Sequence, residues 1–105
     1  MEEIVELTGK SGEKYAFFVT FNSSNFFARP GVYVLGKALG GSRYSFCYIG
    51  HTADMSVRPF VPEKKDCFQR FGVDRIFHLE EVNAEKRASM VQDLLQAYAP
   101  VCNAP

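Results

Sequence analysis

The chain opens with two short runs in which apolar and polar positions alternate. IVEL (4–7) and KYAFFVTF (14–21) are rich in β-branched and aromatic residues, and TGKSGE between them supplies two glycines for a turn. At period two, one face of the second run carries Tyr15, Phe17, Val19 and Phe21. This pattern predicts an N-terminal β-hairpin that extends the rest of the sheet or packs against it.

Three more strand-like runs follow the hairpin. GVYVLG (31–36) and RYSFCYIG (43–50) both end in glycine, and the Gly-Gly segment between them favours an antiparallel pair. VDRIFHLEEV (73–82) is rich in β-branched and aromatic residues and predicts a third strand in this part of the chain.

Two helices are predicted from their end signals. Pro62 suits the first position of a helix that runs to Phe71, and Gly72 suits its C-terminal end. Asn83 can cap a second helix over about residues 84–98. An apolar stripe at helical spacing is predicted along this second helix at Ala84, Ala88, Val91, Leu95 and Tyr98. Strands and helices together indicate one α+β domain over residues 1–105.

The composition includes enough hydrophobic residues for a core, but its net charge does not favour binding to nucleic acid. Hydrophobic residues make up 47% of the chain, and a domain of this size buries roughly two-thirds of its unfolded surface. Lys plus Arg and Asp plus Glu both number twelve, so the formal net charge is zero. Since duplex binders draw much of their affinity from neutralised phosphates, any nucleic-acid binding would depend on a local basic patch.

The three cysteines, Cys47, Cys67 and Cys102, are few and widely spaced. Together with the absence of a targeting pattern at the start, this argues for reduced thiols and a cytoplasmic protein. None of the cysteines or of the two histidines has the C-x-x-C or H-x-x-x-H spacing of a zinc site, so no metal is predicted from them. Apolar runs are too short for a membrane span.

Four short motifs form an ordered set: Gly31-Val32-Tyr33, Tyr48-Ile49-Gly50, Arg58, and Pro100-Val101-Cys102-Asn103. In order and spacing this set resembles the GIY-YIG nuclease domain over residues 30–103. The leading hairpin (1–21) is similar to that of a small single-domain bacterial branch of the family. The second tripeptide matches the family's namesake fully, and the first differs only by valine for isoleucine.

The resemblance implies a small central antiparallel three-stranded sheet flanked by helices, preceded by the hairpin. It implies that Tyr33 and Tyr48 lie beside the scissile phosphate of a DNA substrate, where one of them helps to activate water. It implies that Arg58 stabilises the phosphoryl charge. Further substrate contacts are expected at Gly50, His51 and Asn103.

The chain departs from the family at its metal ligand. The family's glutamate lies twelve residues before its asparagine and holds one divalent cation, and this position is Val91 here. Hard cations such as Mg²⁺ take oxygen ligands, which valine lacks. The neighbouring positions on the same helix face carry no acid: Ala84, Arg87, Ala88, Leu94, Leu95 and Tyr98. No metal and no cofactor are therefore expected at this helix.

Arg58 is the second departure. In the family this arginine stands within a helix, whereas here Pro59 follows it. A residue before proline is biased away from helical angles, so the guanidinium is expected to point elsewhere.

These observations lead to three hypotheses. The first is a catalytically degenerate GIY-YIG-like domain that serves as a module for binding nucleic acid or another protein. Its binding to DNA is expected to be weak, salt-sensitive and routed through a basic cluster of Arg43, Arg58, Lys64, Lys65 and Arg70. The second is an active endonuclease whose Mg²⁺ is held by an unrecognised acid such as Glu80 or Glu81. The third is a small structural protein unrelated to the family.

Overall fold

A computed structural model describes residues 3–21, 28–41, 43–56 and 62–103 of the chain. Its strands and helices are β1 (Glu3–Thr8), β2 (Lys14–Phe21), β3 (Gly31–Gly40), β4 (Arg43–Thr52), α1 (Lys65–Phe71), β5 (Arg75–Glu80) and α2 (Ala84–Tyr98). A 3-10 turn over Pro62–Lys64 leads into α1, and a second one over Val101–Asn103, here called the C-terminal turn, follows α2. Within the described ranges, no helix has the length and apolar character needed to cross a membrane.

The five strands form one antiparallel sheet in the order β1-β2-β5-β3-β4. The prediction of a three-stranded sheet is therefore wrong. The three expected strands are adjacent, as β5, β3 and β4, but the N-terminal hairpin extends them because β2 pairs with β5 from Phe18 opposite His78 to Phe21 opposite Arg75. The prediction that the hairpin joins the sheet is confirmed.

Several predicted boundaries shift by a few residues. The turn between β3 and β4 is shorter than predicted, since β3 runs on to Gly40 and β4 begins at Arg43. The helix predicted from Pro62 begins as a 3-10 turn and becomes α-helical at Lys65, and it ends as predicted at Gly72 in the left-handed conformation. The predicted N-cap of α2 is confirmed, because the Asn83 side chain accepts a hydrogen bond from the Lys86 amide.

The sheet has an apolar cluster on each face. The cluster beneath α2 contains Phe17 of the hairpin, Val32 and Val34 of β3, and Val91 and Leu94 of the helix. The cluster on the opposite face joins Tyr33 and Leu35 of β3 to Phe68 of α1 and Cys102 of the C-terminal turn. The alternation along β3 thus places successive side chains in two different cores.

The buried stripe of α2 differs from the predicted one. Ala84 and Ala88 are exposed, whereas Arg87, Val91 and Leu94 are buried. Burial of the arginine is tolerated because its guanidinium donates hydrogen bonds to the backbone carbonyls of Glu81 and Val82.

The cysteines also differ from expectation. Cys67 and Cys102 form a disulfide across 35 positions of sequence, while Cys47 is a free, buried thiol. The C-terminal turn packs on the same face of the sheet as α1 and therefore brings the two sulfurs together. Wide spacing along the chain does not reveal this closeness, so the prediction of reduced thiols is wrong for this pair.

Asp93 of α2 holds the turn of the N-terminal hairpin. Its carboxylate accepts hydrogen bonds from the Ser11 amide, the Ser11 hydroxyl and the Tyr15 hydroxyl, at 2.7 to 2.8 Å. These hydrogen bonds lower the pKa of the Asp93 carboxyl. The Gly9-Lys10-Ser11 segment is thus a hairpin turn docked on a helix, and a Cβ at Gly9 would lie only 2.0 Å from Asp93 Oδ2.

Candidate functional site

The two tripeptides lie on neighbouring strands, as the sequence predicts. Tyr33 of β3 is opposite Gly50 of β4, and Leu35 is opposite Tyr48. Both tyrosines therefore point to the face that carries α1. Their rings lie nearly parallel, with centroids 6.2 Å apart and an angle of 25° between the planes. The predicted meeting of Tyr33 and Tyr48 on one face is confirmed.

Gly50 makes room for this pair of rings. A Cβ at this position would lie 2.8 Å from the Tyr33 hydroxyl oxygen and 3.0 Å from a ring carbon of Tyr48. Contacts this short force neighbouring atoms to move, and both rings are packed in the sheet. The position next to Tyr33 on the adjacent strand therefore requires glycine for a steric reason.

Asn103 fixes β4 from outside the sheet. Its side-chain oxygen accepts a hydrogen bond from the Ile49 amide at 2.8 Å, and its side-chain nitrogen donates one to the Ile49 carbonyl at 2.9 Å. Because β4 is an edge strand, these backbone groups have no neighbouring strand on that side. Asn103 thus positions Ile49, which lies between Tyr48 and Gly50.

An open pocket of about 320 Å³ lies at this edge of the sheet. It is lined by side chains from β3, β4, α2 and both 3-10 turns, namely Tyr33, Tyr48, Ile49, Gly50, His51, Glu63, Val91, Leu95 and Asn103. Although α2 packs on the face opposite the tyrosines, its residues reach the same pocket at the β4 edge. The pocket combines an aliphatic and aromatic lining with a few polar groups, which is typical of a binding site.

His51 lines the pocket and is hydrogen-bonded to the buried Arg87 of α2. The Arg87 guanidinium donates a hydrogen bond from Nε to His51 Nδ1 at 3.4 Å. An Nδ1 that accepts a hydrogen bond leaves the proton of the neutral ring on Nε2. Burial and the positive charge of Arg87 lower the pKa of His51. His51 is therefore a neutral donor at pH 7 and offers little charge to a phosphate.

Val91 lies where the resemblance places a metal ligand. Its side chain is only 8% exposed, belongs to the core cluster under α2 and lines the pocket with Leu95. Across the part of the chain that the structure describes, no group of three or more His, Cys, Asp or Glu side chains could hold a metal ion. The alternative ligands also point elsewhere, because Glu80 pairs with Arg29 at 3.3 Å and the Glu81 carboxylate accepts from the Asn83 amide.

The predicted basic residues are not gathered in the pocket. Arg43 lies at the opposite end of β4 from Gly50, roughly 20 Å away at about 3.3 Å per residue. Arg70 lines a separate shallow depression with Asp66 and Gln69. Lys64 and Lys65 directly follow the pocket residue Glu63 in sequence. Arg58 lies outside the described residues, as does Pro59.

Three residues were not predicted as part of this site, although the sequence analysis placed Arg87 and Leu95 on the same helix face as Val91. Glu63 places a carboxylate in the lining, Arg87 orients His51, and Leu95 adds an aliphatic wall. Arg87 carried a signal, since it lies four residues before Val91 and therefore on the same helix face. Glu63 carried none, because only the fold of the chain before α1 brings it to β4.

Comparison with known proteins adds no relative. No protein family matches the chain, and neither a curated protein nor a solved structure does.

Proposed function

We propose that this chain is a GIY-YIG-like domain that binds a ligand at the pocket on the β4 edge without cleaving it. One observation carries the proposal: the stacked pair Tyr33 and Tyr48 shares its pocket with the apolar side chain of Val91. An apolar residue there supplies no oxygen ligand to a metal, and metal-dependent phosphodiester cleavage depends on such a ligand.

The chemistry of the pocket suits a nucleic acid held weakly. Tyr48 is partly exposed and lines the pocket, and an aromatic ring is the kind of side chain on which a base stacks. His51 and Asn103 add polar groups, and Lys64 and Lys65, which directly follow Glu63 in sequence, supply positive charge for phosphates. Glu63 and the zero net charge of the chain oppose this attraction. Binding is therefore weak and strongly dependent on salt, and another protein is the alternative partner.

Two measurements test the proposal. Fluorescence anisotropy with labelled single-stranded and duplex DNA should show binding at low salt that declines steeply as salt rises. Replacing Lys64 and Lys65 together by glutamine should weaken binding and flatten the salt dependence, whereas Lys10→Gln, in the hairpin turn and outside the pocket lining, should change neither. DNA binding that ignores salt, or no DNA binding at any salt, contradicts the nucleic-acid assignment.

Catalysis is the second candidate, and Glu63 is the observation that favours it. It is the carboxylate that lines the pocket with both tyrosines, so it replaces Glu80 and Glu81 as the candidate ligand for Mg²⁺. Plasmid nicking in Mg²⁺ or Mn²⁺ decides between the two functions. Nicking that disappears in both Tyr33→Phe and Glu63→Gln would establish a nuclease, and no nicking supports the binding module.

The location of the protein in the cell stays a prediction. The cytoplasmic assignment rested partly on reduced thiols, and the Cys67–Cys102 disulfide removes that argument. Fractionation of cells that express the chain would test it directly.

A further inference from the structure

Three sulfur atoms meet between β4, α1 and the C-terminal turn. Cys102 of the turn is bonded to Cys67 of α1, and its Sγ lies 3.1 Å from the Sγ of Cys47 on β4. Cys47 and Cys102 are buried, while Cys67 is partly exposed. A free thiol is thus in contact with one sulfur of a disulfide, which is the arrangement from which thiol–disulfide exchange begins.

We propose that Cys47, Cys67 and Cys102 form an exchange centre in which Cys102 is the shared partner of two alternative disulfides. In the exchange step the Cys47 thiolate attacks Cys102 Sγ. A Cys47–Cys102 bond forms and the Cys67–Cys102 bond breaks, and Cys67 leaves with the electron pair and takes up a proton. One disulfide and one thiol are present before and after, so the step requires no oxidant or reductant.

The burial of Cys47 governs how fast this exchange runs. Burial raises the pKa of the Cys47 thiol to about 11. Because the thiolate is the attacking species, the rate should rise about tenfold per pH unit below that value. At neutral pH the Cys67–Cys102 pairing therefore persists for long periods, and the centre responds slowly.

Exchange would move a covalent link from α1, which packs beside the candidate pocket through Phe68 and Tyr48, to β4, which lines the pocket. The C-terminal turn is already hydrogen-bonded to β4 through Asn103 and Ile49, so a Cys47–Cys102 bond adds little restraint there. Helix α1, by contrast, loses its covalent link to the turn. Phe68 of α1 packs edge-on against Tyr48 with ring centroids 5.6 Å apart, so loosening of α1 reaches the tyrosine pair.

Peptide mapping tests the exchange, because trypsin places each cysteine in a different peptide: 44–64, 66–70 and 88–105. Purified full-length protein is first oxidised with oxidised glutathione, which takes up two electrons and two protons from two protein thiols and yields two molecules of glutathione. The oxidised protein is incubated between pH 6 and pH 10, and free thiols are blocked with N-ethylmaleimide in denaturant at acidic pH before digestion without reductant.

At acidic pH we expect peptide 66–70 linked to 88–105. As the incubation pH rises, peptide 44–64 linked to 88–105 should appear, with blocked Cys67 in equal amount and a rate that increases about tenfold per pH unit. Cys67→Ser should form the Cys47–Cys102 link directly. The proposal is overturned if Cys47 remains unlinked at every pH, if Cys67→Ser forms only a glutathione adduct, or if peptides 44–64 and 66–70 pair with each other.

The structural consequence has its own measurement, which does not depend on the ligand of the pocket. Hydrogen exchange is compared between oxidised Cys47→Ser, which holds the link to α1, and oxidised Cys67→Ser, which holds the link to β4. Amides of α1 (Lys65–Phe71) should exchange at least several-fold faster in Cys67→Ser, while those of β5 serve as the internal reference. Equal protection of α1 in the two variants would show that the exchange does not reach the pocket.

Discussion

At the scale of single residues, two side chains make hydrogen bonds to backbone groups that no strand or helix pairs. Asn103 pairs with the outer edge of β4, and Asp93 holds the hairpin turn through three side-chain and backbone donors. Both replace hydrogen bonds that the backbone at an edge or a turn would otherwise make to water. The order of the tyrosine pocket depends on the first of these contacts.

Asn103→Ala removes both hydrogen bonds to Ile49. Each such bond contributes about 0.5–1.5 kcal/mol, so the free energy of unfolding should fall by about 1–3 kcal/mol. The amide resonance of Ile49 should shift in NMR spectra, because its hydrogen-bond acceptor changes. Gln92→Ala, at an exposed position of α2, is the matched control and should alter neither quantity. An unchanged Ile49 resonance in Asn103→Ala would contradict the positioning role.

Asp93 should give the hairpin an acid-sensitive contact. Its folded-state pKa is lowered by hydrogen bonds from Ser11 and Tyr15, so the unfolded chain binds the proton more readily. The stabilisation is therefore complete above the ordinary pKa of about 3.9 and is lost as the pH falls through the folded-state value. The melting temperatures of wild-type protein and Asp93→Ala should differ most near pH 7 and converge toward pH 2. Gln92→Ala, the exposed change on α2, should show no such pattern.

At the scale of elements, the hairpin is part of the core. Phe17 of β2 is fully buried among side chains of β3, β5 and α2, while the adjacent Phe18 faces the other side and is 38% exposed. The strand alternation seen in the sequence produces this contrast directly. β2 also pairs with β5 through backbone hydrogen bonds, and without β2 the strand β5 would be an edge strand of the sheet.

Phe17→Ala and Phe18→Ala form a matched pair that tests this role. Truncating the buried ring should lower the free energy of unfolding by about 3–5 kcal/mol, because the transfer energy is lost and a cavity is left. Truncating the exposed neighbour should cost about 1 kcal/mol or less. Urea denaturation followed by circular dichroism measures both. Equal effects would mean that the hairpin does not enter the core as the structure places it.

Local sequence patterns predicted most strands and helices. They did not predict contacts between segments that are far apart in the chain. Strand alternation, Asn83 and Gly72 were sufficient for most strands and for the ends of the helices. The sequence predicted that the hairpin joins the sheet but not that its partner is β5, because the two segments are more than 50 residues apart and pair through backbone bonds that leave no side-chain signature. The disulfide between Cys67 and Cys102 and the approach of Glu63 to the tyrosines were not predicted either, because both depend on how distant segments of the chain fold together.

At the scale of the whole molecule, the pocket is built from both faces of the sheet. The tyrosines come from the face of α1, and Val91 and Leu95 come from the face of α2, and they meet only where β4 ends the sheet. The tripeptides and Asn103 were readable in the sequence as a set. Their meeting with Val91 depended on a helix register that the sequence predicted only in part, since Ala84 and Ala88 proved to be exposed.

Val91→Glu tests whether this architecture retains a place for a divalent ion. A carboxylate at position 91 would stand in the pocket beside Glu63, and two carboxylates can hold a hard cation with water completing its shell. In the absence of metal the variant should lose about 1–3 kcal/mol of stability, since an apolar core position gains an unpaired charge. Mn²⁺ should then bind saturably, as followed by electron paramagnetic resonance, and should return part of the lost stability.

Two controls make the Val91→Glu result decisive. Ser89→Glu adds the same charge at an exposed position of α2 two residues away, and it should neither destabilise the fold nor bind Mn²⁺ saturably. Val91→Glu combined with Glu63→Gln should lose the ion, because one carboxylate remains. If wild-type protein binds Mn²⁺ as well as Val91→Glu does, the ion is held by other residues, and the proposal that Val91 explains a loss of catalysis fails. If Val91→Glu binds Mn²⁺ and still does not nick DNA, a metal ligand at position 91 is not sufficient for cleavage.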